Sequence, residues 1–134
     1  MKRRKIRSLS VSEIGMGCMG FSHGYGQVPG AGYAEEAIRE AFGYGCNFFD
    51  TAEGYGKELY YPGHNEEIVG RAVRGFRNEV VIATKLHIRP EAVEDCGSVY
   101  AAVRRHLERS LKNLQIDYVD LYYLHRINME VDNL

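Results

Sequence analysis

The stretch NFFDTAEGYG, which runs from Asn47 to Gly56, decides how the rest of the chain is organised. A short apolar run ends there in the acid Asp50, and Tyr55 follows five residues later between two glycines. A buried strand that stops at a carboxylate, followed by a loop that presents a polar side chain, is typical of the C-terminal edge of a parallel α/β sheet. The stretch therefore predicts a polar site at the end of a strand.

Two later apolar runs end in polar groups in the same way. Val80–Ala83 is followed by Thr84-Lys85, and Leu121–Leu124 is followed by His125. The carboxyl ends of parallel strands meet at one edge of a sheet. We therefore expect an acid, a tyrosine, a lysine and a histidine to lie at or just past the ends of three successive strands.

The remaining elements are predicted from hydrophobic periodicity and end signals. Residues 2–12 form an extended piece or hairpin, which leads into a first strand near 13–17. Apolar residues at helical spacing predict three helices. The first spans about 34–44, the second begins with Asn65 as its N-cap and ends at Gly75, and the third is capped by Ser98. The other strands are expected at 47–50, 80–84 and 118–124, and 86–97 is expected to be a loop.

This order gives four parallel strands with three helices, joined by right-handed crossovers. A doubly wound sheet is compatible with the pattern. However, polar groups end every later strand, and the glycine-rich loop of residues 17–32 lacks a nucleotide fingerprint. A flexible loop is therefore favoured over a phosphate cradle. These features favour the first half of a (β/α)₈ TIM barrel, with residues 1–134 forming one incomplete barrel domain.

Composition excludes several classes of function. The net charge of −1 favours neither nucleic acid nor an anionic membrane as a partner. No apolar run approaches the roughly 18 residues that a membrane span needs. The three cysteines are widely spaced and form no CxxC pair, which argues against a disulfide framework or a metal site. We expect a cytoplasmic protein.

The four strand-end groups suit the reduction of a carbonyl group, which needs a hydride at carbon and a proton at oxygen. A free tyrosine has a pKa of about 10, and a nearby ammonium group favours its phenolate form. Lys85 could supply that ammonium to Tyr55, Asp50 could hold Lys85, and His125 could orient the carbonyl. Each residue alone has a simpler interpretation, as a cap, a packed aromatic, a solvated end or a core histidine. The four together favour chemistry.

The sequence resembles the aldo-keto reductase family over nearly its whole length. Its matching segments are similar to those of the bacterial general aldo/keto reductase type. The segments that carry the resemblance are residues 11–20, 47–56, 65–70, 80–85 and 117–126. The potassium-channel β-subunit branch resembles these segments too, but that branch lacks the histidine present here at position 125. His125 therefore favours an enzyme-type site.

The resemblance implies a (β/α)₈ barrel, NADPH as hydride donor and a small carbonyl compound as substrate. It also implies a catalytic tetrad in which Tyr55 is the acid, and residues that lie near the nicotinamide end of the cofactor. The tetrad is Asp50, Tyr55, Lys85 and His125, and the cofactor residues are Gly17, Cys18, Met19 and Asp50. No metal is expected.

The chain departs from the family because it supplies four strands where the family has eight. The family's later segments, which grip the 2′-phosphate and adenosine, have no counterpart here. The sequence is therefore expected to be a truncated form with exposed edges, which two copies could close by self-association. Three hypotheses stay open: an NADPH-dependent reductase, a non-catalytic cofactor-sensing or interaction module, and an inactive partial gene product.

The substrate is not defined by the sequence. Five aromatic residues lie on the two loops that would line a pocket mouth, and they suit an apolar or aromatic carbonyl compound: Phe21, Tyr25, Tyr33, Tyr60 and Tyr61. Arg126 could contact an anionic group, although a solvated loop end is the simpler interpretation.

Overall fold

The computed structural model describes residues 1–24 and 26–131. In chain order, the strands and α-helices are β1 (Arg3–Ile6), β2 (Leu9–Ser12), β3 (Met16–Gly17), α1 (Ala31–Gly43), β4 (Phe48–Asp50), α2 (His64–Val73), β5 (Val81–Leu86), α3 (Pro90–Cys96), α4 (Val99–Leu114) and β6 (Leu121–Leu124). Short 3₁₀ turns cover Met19–Phe21 and Arg77–Glu79.

The N-terminal residues form the expected hairpin. Strands β1 and β2 pair antiparallel, with Arg3 opposite Ser12. Asn47, just before β4, fastens the hairpin to the sheet. Its Oδ1 accepts a hydrogen bond from the Ser12 N–H at 2.6 Å, and its Nδ2 donates to the Ser10 carbonyl at 3.0 Å. The hairpin therefore lies against the start of the central sheet.

The central sheet confirms the predicted topology, because it contains four parallel strands in the order β3-β4-β5-β6. Its first and last strands are shorter than predicted. Before β3, the Ser12 hydroxyl donates to the Ile14 carbonyl at 2.7 Å and turns the chain. Before β6, the Asp120 carboxylate accepts from the Ile82 N–H at 2.8 Å, and this side chain replaces a strand partner.

The two faces of this sheet differ in burial. Alternate strand residues point towards the helices, and of these Phe49, Ile82 and Thr84 have no exposed surface. They pack with α1, α2 and α4 in a core that includes Ile38, Ile68, Val69, Val73 and Leu114. On the opposite face, Asp50 and Lys85 are half-buried, and Tyr123 is 41% exposed.

Residues 1–24 and 26–131 contain four α-helices, so the prediction of three was wrong. The additional helix is α3, in the segment predicted to be a loop. Pro90 occupies its first turn, where a missing N–H costs nothing and the fixed φ angle suits a helix. Gly97 ends it at φ 79°, and its N–H bonds back to the carbonyls of Val93 and Glu94. Proline was read as a loop signal where it begins a helix.

The ends of the other helices correct some predictions and confirm one. Ser98 caps α4 as predicted, because its hydroxyl accepts from the Ala101 N–H at 3.1 Å. Helix α2 begins at His64 after Gly63, which adopts φ 92°, so Asn65 is not the N-cap. Its side chain is instead fully buried. Helix α2 also ends at Val73, before Gly75, and α1 begins at Ala31, three residues before the predicted start.

Among the residues that the structure describes, no helix is both long enough and apolar enough to cross a membrane.

Candidate active site

The parallel register brings the predicted polar residues to one edge of the sheet. Asp50 is the last residue of β4 and lies opposite Ala83 of β5, two residues before Lys85. Lys85 lies opposite Tyr123 of β6, and His125 follows β6 directly, with its N–H on the Leu86 carbonyl. Strand alternation turns Asp50 and Lys85 away from the helices and onto the open face.

Lys85 is the centre of this cluster. Its Nζ donates to Asp50 Oδ1, to the Thr51 carbonyl at 2.7 Å and to the Tyr55 hydroxyl at 3.1 Å. These three bonds use every proton of the ammonium group. The Lys85 side chain is 14% exposed and that of Asp50 is 33% exposed, so the pair is partly screened from water. An ammonium with fixed partners therefore stands directly beside the Tyr55 hydroxyl.

His125 completes the cluster beside Tyr55. The two rings meet edge to face, with centroids 5.5 Å apart. Burial lowers the pKa of His125 below its ordinary value, and the positive charges of Lys85 and Arg126 lower it further. The imidazole is therefore neutral near pH 7, and a neutral imidazole carries one N–H that can donate a hydrogen bond.

Tyr55 and His125 line a cavity of about 240 Å³ together with Met19, His23, His87 and Arg126. A second and larger groove, of about 550 Å³, runs along the open face from the N-terminal hairpin to Asp50 and Gly17. Asp50 lines the groove and Tyr55 lines the cavity, and both side chains contact Lys85.

A buried polar network supports the loops that carry this site. The Thr51 hydroxyl donates to Asn65 Oδ1 at 2.6 Å, and Asn65 Nδ2 donates to the Cys18 carbonyl and to Ser22 Oγ. The Ser22 hydroxyl in turn bonds to His64 Nδ1 at 3.0 Å. The network joins the tyrosine loop, residues 51–63, to the glycine-rich loop. Sequence reasoning missed it, since the signal at Asn65 was read as a helix cap.

The residues predicted to lie near a cofactor are not equivalent in the structure. No described atom lies within 4 Å of the position that a Cβ on Gly17 would take. Met19 lines the cavity beside Tyr55. Cys18 is fully buried, and burial raises the pKa of its thiol to about 12. Its N–H donates to the Asp50 carbonyl and its carbonyl accepts from Asn65 Nδ2, so neither the thiol nor the backbone of Cys18 is free to bind a ligand.

The aromatic residues predicted at a pocket mouth are not brought together. Phe21 packs against the core. Tyr60 stacks on His64 with ring centroids 4.0 Å apart, and the Tyr61 hydroxyl donates to Glu67 at 2.8 Å. Tyr33 is 65% exposed on α1. None of these four lines the cavity at Tyr55, and Tyr25 lies outside the described residues.

Neither a metal site nor a disulfide was found in residues 1–24 and 26–131. These residues hold no group of three or more His, Cys, Asp or Glu side chains that could bind a metal ion. Cys18, Cys46 and Cys96 are free thiols.

Comparison with known proteins gives one family. Residues 13–134 match the Aldo/keto reductase family. The aldo-keto reductase yakc [NADP(+)] of Schizosaccharomyces pombe is 38% identical over 133 residues, which cover 95% of this chain and 37% of that protein. An aldo-keto reductase from Bacillus halodurans, solved in its holo form, aligns with a TM-score of 0.77 at 32% identity, covering 99% of this chain and 42% of the other.

A third relative was solved with a cofactor. The aldo-keto reductase from Klebsiella pneumoniae in complex with NADPH aligns with a TM-score of 0.72 at 32% identity, covering 96% of this chain and 42% of that one. The chain spans 36% to 42% of the length of the curated relatives it matches. Its fold is the first half of the family's (β/α)₈ barrel, and the chain belongs to the aldo/keto reductase family.

Proposed function

We propose that residues 1–134 form the N-terminal half of the barrel of an NADPH-dependent oxidoreductase that reduces aldehydes or ketones to alcohols. The observation that carries the proposal is the contact of the Tyr55 hydroxyl with the Lys85 ammonium, which Asp50 holds in place. Tyrosine, lysine, aspartate and histidine are the groups that the proposed reduction needs, and all four lie at one edge of the sheet.

In the proposed reaction, Tyr55 donates its proton to the carbonyl oxygen as that oxygen gains negative charge. Lys85 stabilises the phenolate that remains, since an ammonium 3.1 Å away favours the charged form of the phenol. Asp50 and the Thr51 carbonyl keep the lysine from turning towards solvent. Reduced nicotinamide, when bound, supplies the hydride to the carbonyl carbon.

We assign His125 the role of orienting the substrate. As a neutral imidazole it donates a hydrogen bond to the carbonyl oxygen, and this bond strengthens as charge develops there. Its edge-to-face contact with Tyr55 fixes the direction of the imidazole ring. Tyr55 and His125 then both donate hydrogen bonds to the same carbonyl oxygen. This arrangement turns the carbonyl carbon towards the hydride donor.

The residues at the end of β3 and beside Tyr55 suit the nicotinamide end of the cofactor. Gly17 leaves open space at the end of β3, where a larger residue would place a side chain, and the Asp50 carboxylate beside it is half-exposed. Met19 supplies apolar surface on the side of Tyr55. Cys18 has no exposed surface, so we give it only the role of holding the end of β4 through the bond from its N–H to the Asp50 carbonyl. The relatives named for NADP(+) and solved with NADPH support this choice of cofactor.

The open face needs a cover for the site to work in a dry environment. Strands β3 and β6 each have a neighbour on one side only among the described residues. We propose that further strands close the barrel, either from a longer chain or from a second copy of this one. Since the three free cysteines suit a reducing compartment, we place the protein in the cytoplasm.

The proposal is tested by measuring NADPH oxidation with a panel of small aldehydes and ketones. Tyr55→Phe keeps the ring and removes the acid, so we expect its turnover to fall by about 10²–10⁴-fold. Tyr60→Phe is the matched control, because Tyr60 lies on the same loop but outside the cavity. An unchanged rate in Tyr55→Phe would remove Tyr55 from the mechanism. NADPH binding without turnover would indicate a cofactor-sensing module. The absence of both NADPH binding and turnover would indicate an inactive partial product.

A further inference from the structure

Glu53 is a largely buried acid that has no role in the proposed tetrad. Glu53 lies two residues before Tyr55 and makes four hydrogen bonds. Its N–H donates to the Lys85 carbonyl at 3.2 Å, and its own carbonyl accepts from the Gly63 N–H at 2.9 Å. Its Oε1 accepts from the His87 N–H at 3.0 Å, and its Oε2 pairs with His106 Nδ1 at 2.7 Å. One residue thus joins the tyrosine loop to β5, to α4 and to the loop's own far end.

The Glu53–His106 pair is shielded from water. The two side chains are 15% and 12% exposed. A hydrogen bond to a carboxylate is stronger in such a place than on the surface, and a buried carboxylate that loses its partners is costly. The pair is therefore a firm anchor.

The tyrosine loop needs such an anchor. It spans thirteen residues between β4 and α2, and Lys57 to Pro62 are exposed. Tyr55 itself has one backbone bond, from its N–H to the Ala52 carbonyl at 3.1 Å, and its hydroxyl rests on Lys85. A catalytic group must be held to within about 0.5 Å of its working position. Thr51 fixes the start of the loop through Asn65 and the Ala83 carbonyl, but Tyr55 lies four residues further on.

We propose that Glu53 and His106 act as a positioning pair, which holds the tyrosine loop against the end of β5 so that the Tyr55 hydroxyl stays on the Lys85 ammonium. Glu53 bonds to the backbone at Lys85 and again at His87, two residues later along the chain. His106 fixes the same carboxylate from α4, a helix that packs into the core. The position of the tyrosine loop relative to Lys85 is therefore fixed by helix α4. The role of this pair in catalysis rests on the proposed function, but its effect on loop geometry does not.

The test measures the contact itself in the isotope-labelled 134-residue chain. The readouts are the nuclear Overhauser effect between the Tyr55 ring protons and the Lys85 ε-protons, and the exchange rate of the Tyr55 amide. We expect Glu53→Ala and His106→Leu to abolish the Overhauser effect and to speed exchange by about tenfold, the worth of one charge-assisted hydrogen bond. Glu53→Gln, which can still bond both partners, should keep the contact.

Two controls separate positioning from general loss of structure. Glu58→Ala removes an acid from the same loop, but Glu58 is 55% exposed and should leave the contact unchanged. Protection of the Ile82 amide, inside β5, reports whether each variant folds, and His106→Leu serves as the test if Glu53→Ala does not. A Tyr55–Lys85 contact that survives in the folded Ala or Leu variant would overturn the proposal.

A kinetic readout then links the pair to chemistry. In turnover assays, a positioning role lowers kcat in both Glu53→Ala and His106→Leu. His106→Leu should leave the Kd for NADPH within about twofold, because His106, unlike Glu53, does not line the cavity that contains Met19. If the contact is lost but Tyr55→Phe still turns over normally, the positioning pair stands and the proposed function fails. If the contact persists while Tyr55→Phe is inactive, the reverse holds.

Discussion

The two faces of the parallel sheet are made from alternate residues of the same strands, yet each has a polar cluster of a different kind. On the helix side, the Glu66 carboxylate accepts from the Thr84 hydroxyl at 2.6 Å and from Asn113 Nδ2 at 2.9 Å. On the open side, one residue further along β5, Lys85 holds Asp50 and Tyr55. Neighbouring residues thus serve two clusters with different exposure.

The difference in exposure separates a structural role from a chemical one. Glu66 and Thr84 have no exposed surface, so their bonds can only hold α2 and α4 to the sheet. Burial raises the pKa of Glu66, which shows how little solvent reaches it. Asp50 and Tyr55 keep part of their surface free and line hollows large enough for a ligand. We infer that the helix side folds the chain and the open side does the chemistry.

The largest effect, a loss of turnover, is expected from Lys85→Met on the open face. The variant keeps a long side chain but removes the ammonium from Tyr55 and the partner of Asp50, so turnover should fall by about 10²–10⁴-fold. The free energy of unfolding should change little. Both are checked by NADPH oxidation and urea unfolding, with Lys112→Met as control, because Lys112 is exposed on α4 and does not line the cavity at Tyr55. A large loss of stability without loss of turnover would make Lys85 structural.

A pair of glycines tests the two faces by one added methyl group. In Gly70→Ala, the new Cβ would lie 2.1 Å from the Leu114 carbonyl oxygen, so α2 and α4 must separate. We expect urea unfolding to give a loss of about 1–3 kcal/mol. In Gly17→Ala no described atom is close, and stability should stay within about 0.5 kcal/mol.

The same Gly17→Ala variant should weaken NADPH binding in a fluorescence titration, because the methyl group takes space at the predicted nicotinamide end. Equal binding by the wild type and Gly17→Ala would count against Gly17 as a cofactor residue. Equal stability of the Gly70 and Gly17 variants would count against the division between the faces.

A smaller effect is expected at the start of α4. Ser98→Ala removes the hydroxyl that accepts from the Ala101 N–H, so the free energy of unfolding should fall by about 1 kcal/mol. Turnover per folded molecule should not change, because the hydrogen bond of Ser98 lies in the first turn of α4 and involves none of the tetrad residues. Ser98→Asp, which can still accept that hydrogen bond, is the control. A turnover change that Ser98→Asp does not restore would show a tighter link between the layers.

The smallest effect is a pH dependence of stability. Burial lowers the pKa of both His64 and His125 below the ordinary value near 6.5. The folded chain therefore takes up these protons less readily than the unfolded chain. This contribution to stability is present above about pH 6.5 and is lost as pH falls below it. The midpoint of urea unfolding should fall on acidification, and less so in a His64→Gln/His125→Gln double variant. The same fall in both proteins would contradict this cause.

The sequence could predict the features that depend on periodicity and on strand ends. The continuous apolar run Val80–Ala83 and the acid after Phe49 sufficed to predict a parallel sheet with Asp50, Tyr55, Lys85 and His125 at one edge. The cap at Ser98 was readable because serine followed by an apolar helical stripe has one common meaning. These signals are local, and each is repeated along the chain.

Features that depend on contacts between distant residues were not predictable. Helix α3 was missed because Pro90 stops a helix in one context and begins one in another. Asn65 was assigned to a cap, although its partners Thr51 and Cys18 come from other loops. Glu53 is separated by 53 residues from His106, and no local pattern links them. Tertiary packing decides such pairings, and it is invisible in a single sequence.

The most direct test of the central claim is to look for the transferred hydride itself. The chain is incubated with an aldehyde and NADPH that carries deuterium at C4 of the nicotinamide, and the alcohol is examined by mass spectrometry. We expect one deuterium on the carbinol carbon with the wild type and a loss of about 10²–10⁴-fold in labelled product with Tyr55→Phe. Unlabelled product, or equal labelling by both proteins, would contradict the assignment of the open face to carbonyl reduction with Tyr55 as the acid.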